Sequence, residues 1–148
     1  MGNNSSVRLI MRPPTPALRQ ALSQHPERER IDPKRAEREH GAYVTAIQAA
    51  GVLVTVLPGE PDQPDACFTW DTVLAFARPT GGPTVLLVAA RPGEASRRSE
   101  VASVLACARA MAPDAEVVEI AEPGTLDGGD VITYGRRVAI GISARTNE

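Results

Sequence analysis

The chain reads TVLLVAARPGEASRRSEVASVLACARAMAPDAEVVEI from Thr84 to Ile120, and this stretch decides the fold. It opens with the apolar run Thr84 to Ala89, which predicts a buried strand. Arg91-Pro92-Gly93 ends this strand. Ser96 can cap the helix that follows, where apolar residues recur at helical spacing, at Val101, Val104, Leu105, Ala108 and Met111. The stretch ends in a strand over Glu116 to Ile120, after Pro113.

A further strand is predicted just before this stretch, from Cys67 to Ala77, and the two are joined by the turn Thr80-Gly81-Gly82-Pro83. The order is therefore strand, strand, helix, strand, which is typical of an α/β domain.

Toward the N-terminus, Val7 to Met11 predicts a strand, and the Pro- and Arg-rich residues 12–31 predict a long surface loop. Asp32-Pro33 is a helix start, since the carboxylate caps and proline is tolerated at the first position. The helix stops at Gly51, and Val52 to Leu57 predicts the next strand.

Toward the C-terminus, strands are predicted over Asp130 to Tyr134 and Val138 to Ile142, with the turn Gly135-Arg136 between them. By internal repetition, Ser143 to Asn147 should lead into a helix. The helix and closing strand are absent from this unit, so we expect a truncated chain with exposed apolar surface that binds dyes and self-associates.

Composition excludes several classes of protein. The 148 residues are 43% hydrophobic and 23% charged, with a net charge of -2, which indicates one folded domain and argues against a general binder of nucleic acids or anionic membranes. No apolar run approaches the roughly 20 residues that span a bilayer. Residues 1–6 are polar, so no secretory signal is seen. Cys67 and Cys107 have neither metal-site nor disulfide-framework spacing, so a reducing cytoplasm is expected.

Three carboxylates stand where chemistry is plausible. Asp71 lies within the predicted apolar strand, where an acid is costly unless it is paired; alternatively it is a strand-end acid that accepts backbone hydrogen bonds. Asp127 and Asp130 flank the pair Gly128-Gly129. Two acids beside glycines can hold a guanidinium or orient a histidine, or can form an ordinary Asp-Gly turn.

Arginines follow the predicted hairpins, at Arg97, Arg98 and Arg145. Such positions suit a carboxylate ligand, although each arginine alone fits a solvated surface residue equally well. The histidines, His25 and His40, fall in the loop and the first helix, and a structural role is favoured for His40. Cys67 is interpreted as a small core residue, because no neighbouring His or Lys lowers its pKa.

Together these motifs resemble the dimethylarginine dimethylaminohydrolase family of the guanidino-group modifying superfamily. Four segments carry the resemblance, in the family's order: 64–72 (PDACFTWDT), 91–98 (RPGEASRR), 122–130 (EPGTLDGGD) and 141–147 (GISARTN). The likeness runs from about Val7 to Asn147 but covers only somewhat over half of a family member.

The resemblance implies a five-bladed α/β propeller of ββαβ units, the pentein fold, of which this chain holds about two blades and part of a third. The expected organisation is a first unit over 1–60 with a lid loop over 12–31, a second unit over 61–121 and an incomplete third over 122–148. It also implies hydrolysis of methylated arginine to citrulline through a covalent cysteine adduct, with a histidine as acid and base and no cofactor or metal.

Site roles are carried over by position. Asp71 matches the acid that binds the substrate guanidinium, and Asp127 the acid that supports the histidine, where the family often has Glu. Asp130 belongs to the same binding motif and organises its turn. The substrate α-carboxylate is assigned to the arginines Arg97, Arg98 and Arg145.

Other positions depart from the family. Trp70 stands where some members have an acid, which bears on substrate preference. The catalytic histidine and cysteine have no counterpart in His25, His40, Cys67 or Cys107. The chain alone is therefore expected to be inactive.

Three alternatives stay open: a non-catalytic binding module for arginine-like ligands, a related arginine deiminase or amidinotransferase, and a plain α/β domain. The expected partner is a small-molecule substrate, with neither nucleic acid nor membrane, and a homodimer is left open.

Overall fold

The computed structural model describes residues 7–23, 25–77, 85–135 and 137–148. The chain forms two compact units, residues 1–68 and 69–148. The expected turn Thr80 to Pro83 lies outside the described residues, as does Arg136 of the second turn. The expected boundaries at 60/61 and 121/122 remain predictions.

The first unit contains two strands and one long helix. Strand β1 (Arg8–Met11) pairs in parallel with β2 (Leu53–Val56), and helix α1 (Pro33–Ala49) lies between them in the chain. Asp32 caps α1 as predicted, because its side chain accepts the backbone N–H groups of Lys34 and Arg35 at 3.0 and 3.2 Å. Gly51, at φ +84°, follows the helix end.

The loop between β1 and α1 holds two short 3-10 turns, Pro16–Gln20 and Arg28–Arg30. Asp65, itself 5% exposed, accepts the Leu22 N–H with both carboxylate oxygens at 3.1 Å. This acid ties the long loop to the end of the first unit, which the sequence interpretation did not foresee.

The second unit contains the predicted strand, strand, helix, strand order. Strands β3 (Val73–Ala77) and β4 (Val85–Ala89) are antiparallel, and β5 (Glu116–Glu119) runs parallel to β4 after helix α2 (Glu100–Met111). A hairpin of β6 (Val131–Tyr134) and β7 (Arg137–Ile140) follows. The core joins sheet and hairpin through the buried side chains Leu74, Ala90, Leu126 and Val131.

Two local expectations were wrong. The strand predicted from Cys67 begins only at Val73, because Thr69–Asp71 form a 3-10 turn that Thr72 closes with a hydroxyl bond of 2.8 Å to the Thr69 carbonyl. Ser96 lies inside a 3-10 turn, Ala95–Arg97, so it does not cap α2. Residues 143–147, which were expected to lead into a helix beyond them, form a bend stabilised by side chains.

The β6–β7 hairpin presents apolar side chains to solvent on both faces. Ile132 and Tyr134, at 68% and 84% exposure, lie on one face. Val138 and Ile140 lie on the other, beside a groove of about 780 Å³ that Phe76, Val88 and Ile120 also line. Of the helices in the described ranges, none combines the length and apolar character that crossing a bilayer requires.

We expect this groove to bind an apolar dye such as anilinonaphthalene sulfonate, and the chain to self-associate, because contiguous exposed apolar surface favours both. Replacing Val138 and Ile140 together by Thr should lower dye fluorescence by roughly half or more. Val7→Thr is the control, since Val7 is as exposed (62%) but does not line the groove. Equal fluorescence in all three proteins would contradict the prediction.

Candidate functional site

Four segments of the second unit meet at one end of its sheet and hairpin. They are the turn Thr69–Asp71 before β3, residues 91–100 after β4, the turn Gly128–Asp130 before β6, and residues 143–147 after β7. Antiparallel pairing places the start of β3 at Ala89 and the start of β6 at Ile140, so the flanking loops share an edge. The four motifs picked out in the sequence contribute residues to this edge.

Two glycines allow the loops to pack backbone against backbone. A Cβ on Gly128 would lie 2.0 Å from the Trp70 carbonyl oxygen, and one on Gly93 would lie 2.5 Å from the Arg145 carbonyl oxygen. Only glycine permits such approaches without moving the chain. The contacts bring Asp71 next to Asp127, and Arg145 next to the loop that follows β4.

Arg97 is the centre of a buried ion cluster. Its NH1 donates to Asp71 Oδ2 at 2.8 Å, while Nε and NH2 donate to Glu100 Oε2 at 3.2 and 2.9 Å. NH1 also lies 3.7 Å from Asp127 Oδ2. The side chains of Arg97 and Glu100 are each 2% exposed, and that of Asp71 is 17% exposed.

The electrostatics of Arg97 follow from these partners. Burial alone would lower the pKa of Arg97, but hydrogen bonds and charges from Glu100 and Asp71 outweigh it and raise the pKa above its ordinary value. The guanidinium is thus permanently charged and held by acids on two of its sides.

Asp127 is the most deeply buried acid of the cluster, at 1% exposure. Its Oδ1 accepts the Gly129 N–H at 3.2 Å, and its own N–H donates to Thr146 Oγ1 at 3.0 Å. Oδ2 is buried with no hydrogen-bond partner, although Arg145 Nε lies 3.4 Å from it. Burial first, and then the charge of Asp71, raise the pKa of Asp127, against the lowering effect of the Gly129 N–H and the two arginines.

Asp130 holds the turn that carries Arg145. Its Oδ2 accepts the hydroxyls of Thr146 at 2.5 Å and Ser143 at 2.7 Å, and these bonds lower the pKa of Asp130. Ser143 Oγ in turn accepts the backbone N–H groups of Arg145 and Thr146 at 3.0 and 3.2 Å. The hydroxyl of Thr146 therefore links Asp130 to Asp127.

Of the residues predicted from the sequence, Asp71, Arg97, Asp127 and Arg145 come together in one cluster, with Asp130 one hydroxyl away. Arg98 lies apart from the acids, since its Nε donates to the Pro92 carbonyl at 3.1 Å. Glu100 and Thr146 were missed. The spacing Arg97-x-x-Glu100 at a helix start was the available signal for the first of them.

The histidines and Cys67 belong to the first unit, and Cys107 lies on α2, 3.9 Å from the Met111 sulfur. His25 Nδ1 accepts the Glu27 N–H, and burial lowers the pKa of His40. Across the ranges that the structure describes, no group of three His, Cys, Asp or Glu residues is arranged to hold a metal ion.

Comparison with known proteins places this geometry in context. Residues 9–148 match the family model described as N,N dimethylarginine dimethylhydrolase, eukaryotic. The chain is 37% identical to the N(G),N(G)-dimethylarginine dimethylaminohydrolase of Streptomyces coelicolor over 96% of its own length and 52% of the relative's.

Two solved structures are similar to this chain. Each similarity covers 96% of this chain and 52% of the chain in the solved structure. One is a dimethylarginine dimethylaminohydrolase variant with an S-methyl-L-thiocitrulline adduct, at 32% identity and a TM-score of 0.84. The other is the enzyme from Pseudomonas aeruginosa complexed with citrulline, at 31% identity and a TM-score of 0.78. The predicted α/β pentein fold of ββαβ units is thereby confirmed.

Proposed function

Since the chain belongs to the dimethylarginine dimethylaminohydrolase family and spans about half the length of the curated relatives it matches, we propose that it recognises the substrate in the hydrolysis of N-methylated arginine. The reaction would give citrulline and dimethylamine. The cysteine and histidine that perform the covalent step in the family have no match among this chain's two histidines and two cysteines. The proposal therefore assigns it the binding of the substrate and not the attack on it.

One observation carries the proposal: a buried carboxylate oxygen, Asp127 Oδ2, has no hydrogen-bond partner beside a second acid, Asp71. An acceptor in that position is costly unless a donor reaches it. A cationic N–H group, either a guanidinium or an imidazolium, supplies both the donor and the charge.

The roles divide between the two acids. Asp71, the more exposed of the two, uses its Oδ2 for Arg97, and its Oδ1 lies 3.1 Å from where a Cβ on Gly129 would be, so the missing side chain leaves room beside that oxygen. We assign Asp71 to the substrate guanidinium, which can approach over this glycine. We assign Asp127 to hold the family's histidine through Oδ2, because the Asp127 side chain is the more deeply buried of the two acids.

The α-carboxylate of the substrate is assigned to Arg145, the most exposed cation of the cluster at 41%. Asp130, Ser143 and Thr146 already fix the turn that carries Arg145. Binding of the ligand therefore costs little further conformational entropy in this turn. Arg97 was also assigned to this carboxylate from the sequence. Because its Nε, NH1 and NH2 all face acids, we place the carboxylate on Arg145.

We expect saturable binding of asymmetric dimethylarginine to the 148-residue chain by isothermal titration, with no citrulline released. Asp71→Asn should weaken binding roughly ten- to hundredfold, because hydrogen bonds to a charged group contribute about 1.5–3 kcal/mol. Asp114→Asn, an exposed acid in the α2–β5 loop, is the matched control and should bind normally.

Asp71→Asn binding at the parent affinity would remove Asp71 from the site. Citrulline release by the chain itself would mean that Cys67 or Cys107 acts with one of the two histidines, which contradicts the assigned roles. Tighter binding of unmethylated arginine than of dimethylarginine would favour the deiminase alternative.

A further inference from the structure

Asn147 is an exposed residue whose side chain bonds to a second segment through both its oxygen and its nitrogen. Oδ1 accepts the Thr125 backbone N–H at 2.7 Å, and Nδ2 donates to the Pro123 carbonyl at 3.0 Å. In return, the Asn147 backbone N–H donates to Thr125 Oγ1 at 3.2 Å and to the Thr125 carbonyl at 3.3 Å. Water could satisfy an exposed amide as well. The reciprocal bonds therefore indicate that Asn147 joins the two segments, a contact that the proposed roles do not use.

The other attachments of the Arg145 turn do not make this contact redundant. Ser143 and Thr146 both reach Asp130 through single hydroxyl oxygens, at 2.7 and 2.5 Å. A bond through one hydroxyl fixes a point about which the chain can still rotate, because a hydroxyl turns to suit its partner. Asn147 follows Thr146 in the chain and adds bonds from both its side chain and its backbone. That contact limits the remaining rotation, and with it the position of Arg145.

The segment that Asn147 holds also carries one of the acids of the site. Thr125 lies shortly before Asp127 in the chain, and the Asp127 N–H donates to Thr146 Oγ1 at 3.0 Å. These two contacts, with Asn147 and with Thr146, align the two segments side by side. Across them, Arg145 Nε lies 3.4 Å from Asp127 Oδ2. Asn147 therefore helps to set the separation between Arg145 and the acids of the site.

We infer that Asn147 is the positioning residue that holds Arg145 where it can bind the α-carboxylate of the ligand. The inference rests on the proposed function, in which Arg145 takes that carboxylate, and Asn147 itself does not touch the ligand. Without Asn147, Arg145 is in the binding position for only a fraction of the time, and the observed affinity falls by that fraction. The site thereby favours an amino acid, held at both of its ends, over a guanidine held at one.

Isothermal titration of Asn147→Ala with two ligands tests this role. One is asymmetric dimethylarginine, and the other is asymmetric dimethylagmatine, the same methylated guanidine without the α-carboxylate. We expect the affinity for dimethylarginine to fall about three- to tenfold, because two side-chain hydrogen bonds are lost, while that for dimethylagmatine changes little. Gln48→Ala, which removes an exposed amide from α1, is the control and should change neither. Equal weakening of both ligands would show a merely structural role and overturn the inference.

A second comparison asks whether the effect of Asn147 passes through Arg145. In a chain that already carries Arg145→Met, Asn147→Ala should weaken the binding of dimethylarginine no further, because the cation that Asn147 positions is gone. A loss of the same size with and without Arg145 would contradict the assigned role.

A measurement without ligand keeps the inference separate from the proposed function. Burial is the largest influence on the pKa of Asp127 and raises it, whereas the charge of Arg145 is among the influences that lower it. In Asn147→Ala, Arg145 is free to move away, so carbon-13 titration of the carboxyl groups should show a higher pKa for Asp127 than in the parent chain. An unchanged or lower pKa would overturn the inference. If the parent chain does not bind dimethylarginine, the proposed function fails, and this titration still decides whether Asn147 holds Arg145.

Discussion

Replacing Arg97 by Met lowers the free energy of unfolding by about 3–5 kcal/mol, the cost of removing one partner from a buried ion pair. Met retains much of the volume and removes only the charge and the donors. Glu100, 2% exposed, would lose the donors at 2.9 and 3.2 Å, and Asp71 would lose the one at 2.8 Å. Urea unfolding followed by circular dichroism at pH 7 measures the loss.

The pH dependence identifies the cause. Uncompensated acids in the variant have a folded pKa above the unfolded one, so their destabilising effect is present at high pH and disappears as they are protonated. The difference in free energy of unfolding between the parent chain and Arg97→Met should therefore shrink as the pH is lowered from 7 toward about 4. A deficit independent of pH would indicate lost packing instead of lost charge.

Arg35→Gln provides the comparison for this variant. Arg35 pairs with Glu39 at 2.8 Å on α1, but both side chains are largely exposed, at 70% and 64%. Solvent-exposed pairs at this helical spacing contribute only a few tenths of a kcal/mol. If the two substitutions cost the same, the Arg97 cluster would not be a buried network.

Replacing Gly128 by Ala should destabilise the chain by about 3 kcal/mol, at the upper end of the cost of overpacking, and should abolish binding of dimethylarginine. The new Cβ would lie 2.0 Å from the Trp70 carbonyl oxygen and 3.0 Å from the Asp71 Cα. Both contacts are backbone atoms, so no side-chain rotation relieves them. The turn that carries Asp71 would have to move away from Asp127.

Gly41→Ala is the matched control for this substitution. Gly41 lies within α1, and nothing is within 4 Å of its Cβ position. Alanine there should stabilise the chain by about 0.5–1 kcal/mol, because it favours the helix. Unfolding measurements that show Gly128→Ala to be neutral would mean that the Gly128–Trp70 approach is not a feature of the folded chain.

The two largest effects arise at the same edge of the second unit. Gly128 sets how close the two acid-bearing turns approach, and Arg97 compensates the charge that this approach concentrates. The proposed binding of a cation depends on both. Three carboxylates surround the one buried guanidinium of this site. The same few residues therefore set both the stability of the second unit and the ligand preference proposed for the site.

Some features of the site followed directly from local sequence. The alternation of apolar runs with Gly and Pro predicted β1 to β7 within a few residues, except for the start of β3, and Asp32-Pro33 predicted the start of α1, because these signals act over one or two turns of chain. The four motifs likewise predicted which segments would carry Asp71, Arg97, Asp127 and Arg145.

The sequence by itself therefore determined the α/β class, the order of elements and the candidate acids and arginines, since periodicity and turn chemistry are local properties. Only the tertiary structure decided what those residues do to one another. Arg97 and Asp71 are 26 positions apart and meet at 2.8 Å because β3, β4 and the Gly128 turn share an edge. The burial of Glu100 and the Asp127 oxygen without a hydrogen bond depend on that packing, and no local pattern specifies long-range contact.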